Sequence, residues 1–235
     1  MRHRSLLGIR RWALPAVLAL SGVYASAPTL EVEGQIRGGV NLADFFGDDV
    51  ADSDERLGLN LGLSIPLVSI GPVTLSPEVH YAQKGARQVL RAVDGREEPG
   101  DAASLDFSLQ YIEVPVLLRV EVQRVGPDWL GIHAGAGPTF AWQLDCRFTT
   151  ERDPERSWEK CGEPFEDLET AMDSADRGAA LVAGAGASLG RFGAVELEGR
   201  YVHGLRRVDG TADNLDVHNR AFALLFGYDL TLGSR

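Results

Sequence analysis

The stretch Arg56-Leu57-Gly58-Leu59-Asn60-Leu61-Gly62-Leu63-Ser64-Ile65-Pro66-Leu67 decides the fold. From Leu57 to Leu67 every odd position is a large aliphatic residue, and the even positions between are Gly, Asn, Ser or Pro. A helix would scatter these leucines around its axis, whereas a strand puts them all on one side. The same period of two recurs along the chain. Val32, Ile36, Val40 and Leu42 alternate with Glu33, Gln35, Arg37 and Asn41, and Val73, Leu75, Val79 and Tyr81 with Thr74, Ser76, Glu78, His80 and Lys84. Within 105–122, Leu105, Phe107 and Leu109 share one face, then Ile112, Val114, Val116, Leu118 and Val120 continue on the other parity. That switch at Tyr111–Ile112 predicts a β-bulge that restores the facing. Leu130, Ile132, Phe140 and Trp142 oppose Gly131, His133, Gly135, Gly137, Thr139 and Gln143. Leu181 to Leu189 is an Ala/Gly strand, Val195, Leu197 and Tyr201 oppose Glu196, Glu198 and Arg200, and Phe222 to Leu230 alternates again.

These are eight strands, several about 10 residues long, the length a tilted strand needs to cross a bilayer. Their connections alternate too: long at 43–55, 85–104, 145–178 and 206–217, short at Ser69–Gly71, 123–128 and 190–193. The pattern predicts an all-β chain, an eight-stranded antiparallel up-and-down transmembrane β-barrel with both termini on the short-turn side.

The first 27 residues stand apart. Arg2, Arg4, Arg10 and Arg11 precede an apolar run from Trp12 to Tyr24 that ends in Val-Tyr-Ala and Ala-Ser-Ala. This is the plan of a cleaved signal peptide, and the run is short of the roughly 20 residues of a spanning helix. Residues 28–235 then form the barrel domain. Losing four arginines and no acid takes the formal charge from -11 to -15, which speaks against nucleic acid as a partner, since a phosphate backbone demands a basic face. The only cysteines, Cys146 and Cys161, read as a disulfide in an exported chain.

The wet face of the strands carries Glu33, Arg37, Arg56, Glu78, His80, Glu113, Arg119, His133, Glu196, Glu198 and Arg200, interleaved with glycines. Small residues between opposite charges suit a narrow lumen in which long side chains pair. The apolar face carries Tyr81, Trp129, Phe140, Trp142, Tyr201, Phe222 and Tyr228 near strand ends, as an interfacial belt does. The alternative is a soluble periplasmic lipocalin-type ligand-binding barrel, which has the same period with the apolar face inward.

Gly38-Gly39-Val40-Asn41, Pro77-Glu78-Val79-His80-Tyr81-Ala82-Gln83-Lys84-Gly85, Tyr111-Ile112-Glu113-Val114-Pro115-Val116-Leu117-Leu118-Arg119 and His133-Ala134-Gly135-Ala136-Gly137-Pro138 occur in that order. Together they resemble the PorT-like outer-membrane β-barrel family over essentially the whole mature chain. The resemblance implies an eight-stranded barrel in the bacterial outer membrane without enzymatic activity; some relatives assist protein secretion, a role that fold alone does not carry over. The chain departs from many such barrels in ending on Arg235 rather than an aromatic residue, and in its long Cys-containing loop.

Arg37, Glu78, Glu113, Arg119, Glu196, Glu198 and Arg200 are the candidate lumen charge network, which plugs an interior only just wide enough for side chains. Pro115 is predicted to kink its strand toward the lumen. Trp158, Phe165 and Met172, apolar residues in the long disulfide-closed loop, are the candidate interaction surface or else that loop's own small core. The acidic stretch Asp44, Asp48, Asp49, Asp52, Asp54 and Glu55 lacks the spacing of a calcium loop and reads as a solvated charge run. No cofactor or metal is predicted. The histidines are scattered with no nucleophile at a recognisable spacing, so no catalytic residue is assigned; a membrane-embedded lipid-modifying enzyme would start from His203 beside Tyr201. The expected role is structural, adhesive or secretion-accessory, the partners being outer-membrane lipid and envelope or extracellular ligands met by the long loops.

Overall fold

The computed structural model describes residues 32–50, 53–90, 103–123, 129–152, 155–161, 172–210 and 215–232. The predicted signal peptide lies outside them, as do Asp52 and Phe165. Ten strands follow in chain order: β1 Val32–Phe46, β2 Ser53–Ser64, β3 Val68–Ile70, β4 Val73–Leu90, β5 Ala103–Gln123, β6 Leu130–Arg152, β7 Glu155–Lys160, β8 Ala175–Ser188, β9 Ala194–Gly204 and β10 His218–Leu232. Eight of them, β1, β2, β4, β5, β6, β8, β9 and β10, pair antiparallel in a ring. Val32↔Leu232 to Phe46↔His218 joins the first strand to the last, and β2 meets β4 to complete the circle. The predicted barrel is therefore closed.

The two remaining strands are extensions of the ring. Pro66 has no N–H, so β2 stops at Ser64; the pairing with β4 slips by one residue, from Ser64↔Glu78 to Val68↔Leu75, and resumes as β3. Gly71, at φ 59°, then turns the chain into β4. At the other end β6 outruns β8, whose last pair is Trp142↔Ala175, and folds back on β7 from Arg147↔Lys160 to Arg152↔Glu155. The long connections are thus shorter than the sequence suggests. Strand persists to Phe46 and from Ser53, to Leu90 and from Ala103, and to Arg152. These rim segments leave the apolar band, so their outward side chains turn polar and the alternation that marks a strand fades.

Facing excludes the lipocalin-type alternative. On β2, Leu57, Leu59, Leu61 and Leu63 are 63%, 41%, 47% and 57% exposed, whereas Asn60 and Ser64 between them are buried. Arg200, Glu198, Glu78 and His80 are among the most deeply buried side chains of the molecule. The apolar face points out and the charged face points in. Glycine makes room for those charges. A Cβ at Gly62 would lie 2.3 Å from Nδ1 of His80, and one at Gly137 would lie 1.9 Å from the Val116 carbonyl oxygen.

The bulge near Tyr111 does not restore the facing as predicted. β5 runs unbroken, so Phe107, Leu109 and Tyr111 point inward with Glu113, Leu117 and Arg119. The extra residue sits opposite, in β6: Gln110 pairs Asp145 and Tyr111 pairs Gln143, leaving Leu144 over. That shift turns Cys146 and Phe148 inward onto Leu109 and Phe107. Pro115 faces the lumen opposite Thr139, and the β4–β5 ladder is interrupted between Pro77↔Val116 and His80↔Glu113.

The lumen consequently has two storeys. Towards the short turns it is charged. Towards the loops, Phe45, Ala86, Phe107, Leu109, Tyr111, Ala141, Cys146, Phe148, Val208 and Val217 form one apolar cluster.

Candidate functional site: the lumen and the loop rim

Arg37 on β1, Glu78 and His80 on β4, Arg119 on β5, His133 on β6, and Glu196, Glu198 and Arg200 on β9 project into one cross-section because each occupies an inward position of its strand. Glu198 is the hub. Its Oε2 accepts from Arg37 Nη1 at 2.5 Å and from Arg119 Nη2 at 2.6 Å, and its Oε1 from Arg200 Nη2 at 2.8 Å. Glu78 is the second hub, accepting from Arg119 at 2.7 Å and from Arg200. His80 lies between Asn60 at 2.8 Å and Glu78 at 2.9 Å, and Asn60 donates to Asn41 at 3.1 Å. Glu196 closes the lower edge with Arg37 at 3.1 Å. Three arginines thus face three glutamates in a largely buried space, where charges must be paired.

Of the seven predicted network residues, the structure brings these six together and places Glu113 elsewhere. Glu113 holds Lys84 at 2.9 Å and accepts from Thr139 at 2.8 Å, one level nearer the loops. Lys84 lies over the Tyr111 ring at 5.7 Å, and Asn219 joins Tyr111 to Asp176. Below the network, a polar cavity of about 390 Å³ opens toward the turns, with Gln35, Arg37, Ser76, Arg119, Glu121 and Glu196 among its walls. His133, Glu196 and Glu198 present ligand-type atoms within 4.8 Å of one another. Arg37 and Arg119 contact both carboxylates, so this trio has the composition of an ion-pair cluster rather than of a cation cage.

The loop rim is tied by acids. Asp44 takes Arg220 in a fork at 2.7 and 2.6 Å, and Asp216 accepts from the Asp48 amide while its own amide donates to Asp49. The Asp48 amide, then Arg207 and His218, hold the Asp216 carboxyl below the usual aspartate range. Cys146 and Cys161 are bonded, stapling the base of the β6–β7 hairpin at a Cα separation of 5.4 Å. Trp158 on β7 is 66% exposed with Arg147 over its ring, whereas Met172 is half-buried against the apolar cluster. Those two residues do not share one surface.

Residues 25–210 match the model of the outer membrane protein β-barrel domain family. The chain belongs to that family. No curated protein matches it. Among solved structures it is similar to Ail, the attachment invasion locus protein of Yersinia pestis, solved in complex with the heparin analogue sucrose octasulfate: 13% identity, TM-score 0.40, covering 86% of this chain and 100% of Ail. It is similar to Neisserial surface protein A at 11% identity, TM-score 0.47 and 85% and 97% coverage. OprG from Pseudomonas aeruginosa gives 12% identity, TM-score 0.45 and 85% and 96% coverage.

As a bacterial outer-membrane barrel, the protein turns its exposed aliphatic wall to lipid. Trp129, Phe192 and Tyr228 lie at the turn end of that wall, with the Tyr228 hydroxyl donating to the Phe192 carbonyl at 2.6 Å. Trp142, Tyr201 and Tyr81 lie at its loop end, the Tyr81 hydroxyl donating to Gln110 at 3.0 Å. Each Trp and Tyr ring thus buries a body in lipid and offers a polar edge to the interface. The sequence missed Phe192, which sits in a turn where no periodicity operates. It also missed His80, His133, Asn41 and Asn60 as network members and Lys84 as the partner of Glu113, though their wet-face parity marks them.

The disulfide has a consequence that can be measured. A closed loop of this length restrains the unfolded hairpin by roughly 3 kcal/mol in the chain-entropy model. The pair C146A/C161A is expected to leave the barrel heat-modifiable on detergent gels, yet open the β6–β7 hairpin to limited proteolysis. Equal protease resistance with and without the bond would show that β6–β7 pairing alone holds the hairpin.

Proposed function

We propose that this outer-membrane barrel is a non-conducting membrane anchor whose working surface is its extracellular rim, in a structural or adhesive role. One observation carries the reading: paired charges fill the lumen at one level, and Phe45, Phe107, Leu109 and Phe148 fill it at the next. Two differently filled levels in series leave an ion no polar path. The rim is where the protein offers chemistry to a partner. It is acidic around Asp48, Asp49 and Asp216 and carries Trp158 on a stapled hairpin, which suits the binding of a cationic or aromatic extracellular partner. A PorT-like kinship and a secretion-accessory role belong to the same reading, supported by the Tyr111–Arg119 strand. No catalytic role is proposed. Among the described residues, the imidazoles bond to Asn, Glu, Arg, Tyr and Asp and to no Ser, Thr or Cys, and His203 itself holds Tyr201 at 3.3 Å.

Planar-bilayer recording tests the closed lumen: the purified full barrel is expected to give no steady conductance steps, and reproducible ohmic steps would overturn the reading. Adherence of cells displaying the barrel tests the rim. Trp158→Ala is expected to lower it without changing heat-modifiability, and unchanged adherence would move the working surface elsewhere.

A further inference from the structure

The extracellular end of the lipid-facing wall is chemically lopsided. On β4 and β5 it carries the neutral residues Tyr81, Gln83 and Gln110, hydrogen-bonded to one another. On β8, β9 and β10 it carries Arg177, His203, His218 and Arg220. These are neighbours across the strands: His203 pairs with Ala179, two residues from Arg177, and with Arg220 on its other side, and Arg220 pairs with Asp44. Phe46 forms their shared backing, stacked on His203 at 4.6 Å and on His218 at 5.3 Å, with Arg220 over its face at 5.8 Å.

Local acids neutralise only part of this arc. Asp44 takes two nitrogens of Arg220, leaving Nη1 outward on a side chain that is 48% exposed. Asp216 takes His218. Arg177 is exposed and forms no ion pair among the described residues, and Nε2 of His203 has no partner among them. A protein with a net charge of -11 therefore concentrates spare cationic donors at one place on the lipid boundary. Arg177 and Arg220 stand two strand spacings apart, roughly 10 Å, within reach of one headgroup.

We infer that this arc seats the phosphate of an outer-leaflet lipid, with Arg177 and Arg220 as its cationic clamp, His203 as a further donor, and Phe46 and Tyr201 against the upper part of the lipid. Guanidinium is suited to phosphate because its donors form a planar fork. The lipid source follows from continuity, since the arc is the upper margin of the wall formed by Leu197, Phe222 and Leu224.

The test uses the full barrel in phosphatidylcholine vesicles doped with diphosphorylated lipid A or with the same lipid dephosphorylated, following the temperature at which the unboiled gel species converts. Phosphorylated lipid is expected to raise that temperature and dephosphorylated lipid to leave it unchanged. Arg177→Gln is expected to raise about fivefold the proportion of phosphorylated lipid needed for half the effect, the factor for roughly 1 kcal/mol per basic residue at a charged membrane surface, and R177Q/H203Q to raise it further. Arg177 is exposed and without an ion-pair partner among the described residues, so its variant is expected to keep the fold. Arg87→Gln, exposed at the same end on β4, is expected to behave as wild type. Equal stabilisation by the dephosphorylated lipid, or wild-type response in R177Q/H203Q, would overturn the site. Stabilisation by inorganic phosphate alone would overturn its assignment to a lipid.

Discussion

Glu198→Gln is expected to destabilise the barrel by about 3–5 kcal/mol, the range for removing one partner from a buried ion pair. The carboxylate of Glu198 receives Arg37, Arg119 and Arg200 at 2.5–2.8 Å, and a neutral amide leaves those buried guanidiniums one counter-charge short. Urea unfolding in lipid vesicles, followed by tryptophan fluorescence and the heat-modifiable gel band, measures the loss. The double variant E198Q/R200Q is expected to cost less than the two single changes added, because it removes a charge of each sign. A loss below about 1 kcal/mol would mean that the pairs behave as exposed ones do, and so that water enters the lumen from the turn-end cavity.

That hub was legible in the sequence only in part. Arg37, Glu78, Arg119, Glu196, Glu198 and Arg200 announce themselves because each sits on the polar parity of an alternating strand. Which of them meet depends on strand register around the ring, and a single strand's pattern holds no such information. Glu113 shows the limit: it has the right parity, yet the β4–β5–β6 register delivers it to Lys84 and Thr139 instead. The apolar upper storey was hidden for a related reason. Phe107 and Leu109 looked like outward residues displaced by a bulge, because a barrel interior is expected to be polar throughout. They point inward, and the bulge belongs to β6, where it brings Phe148 to meet them.

Leu63→Arg is expected to cost about 2–4 kcal/mol, the depth-dependent cost of a cation near the bilayer midplane, whereas Leu57→Arg, nearer the interface, is expected to cost about 0–1 kcal/mol. Both leucines are outward, 57% and 63% exposed, and lie on one strand of identical pattern, so depth is the main difference between them. Refolding equilibria into vesicles, with each variant beside wild type, give the two values. Equal costs would mean that the lipid boundary does not lie between them, and would shift the hydrophobic band along the barrel.

Each hub of the charged storey is assembled from distant chain segments: Arg37 reaches 161 residues to Glu198, Arg200 reaches 122 to Glu78, and Arg119 reaches 79 to Glu198. The β4–β5 hairpin carries its own pairs, Glu78 with Arg119 and Lys84 with Glu113, but Arg37 on β1 meets its carboxylates only on β4 and β9. A β1–β2 sheet on its own therefore presents the Arg37 guanidinium to hydrocarbon without these carboxylates, while the finished ring pairs it. Insertion of individual hairpins is penalised and insertion of the closed ring is not, so the ion network acts as a latch that couples membrane entry to completion of the circle. Contacts of such long sequence separation are also slow to form, which makes the joining of β1 to β10 the step at which an assembling chain commits.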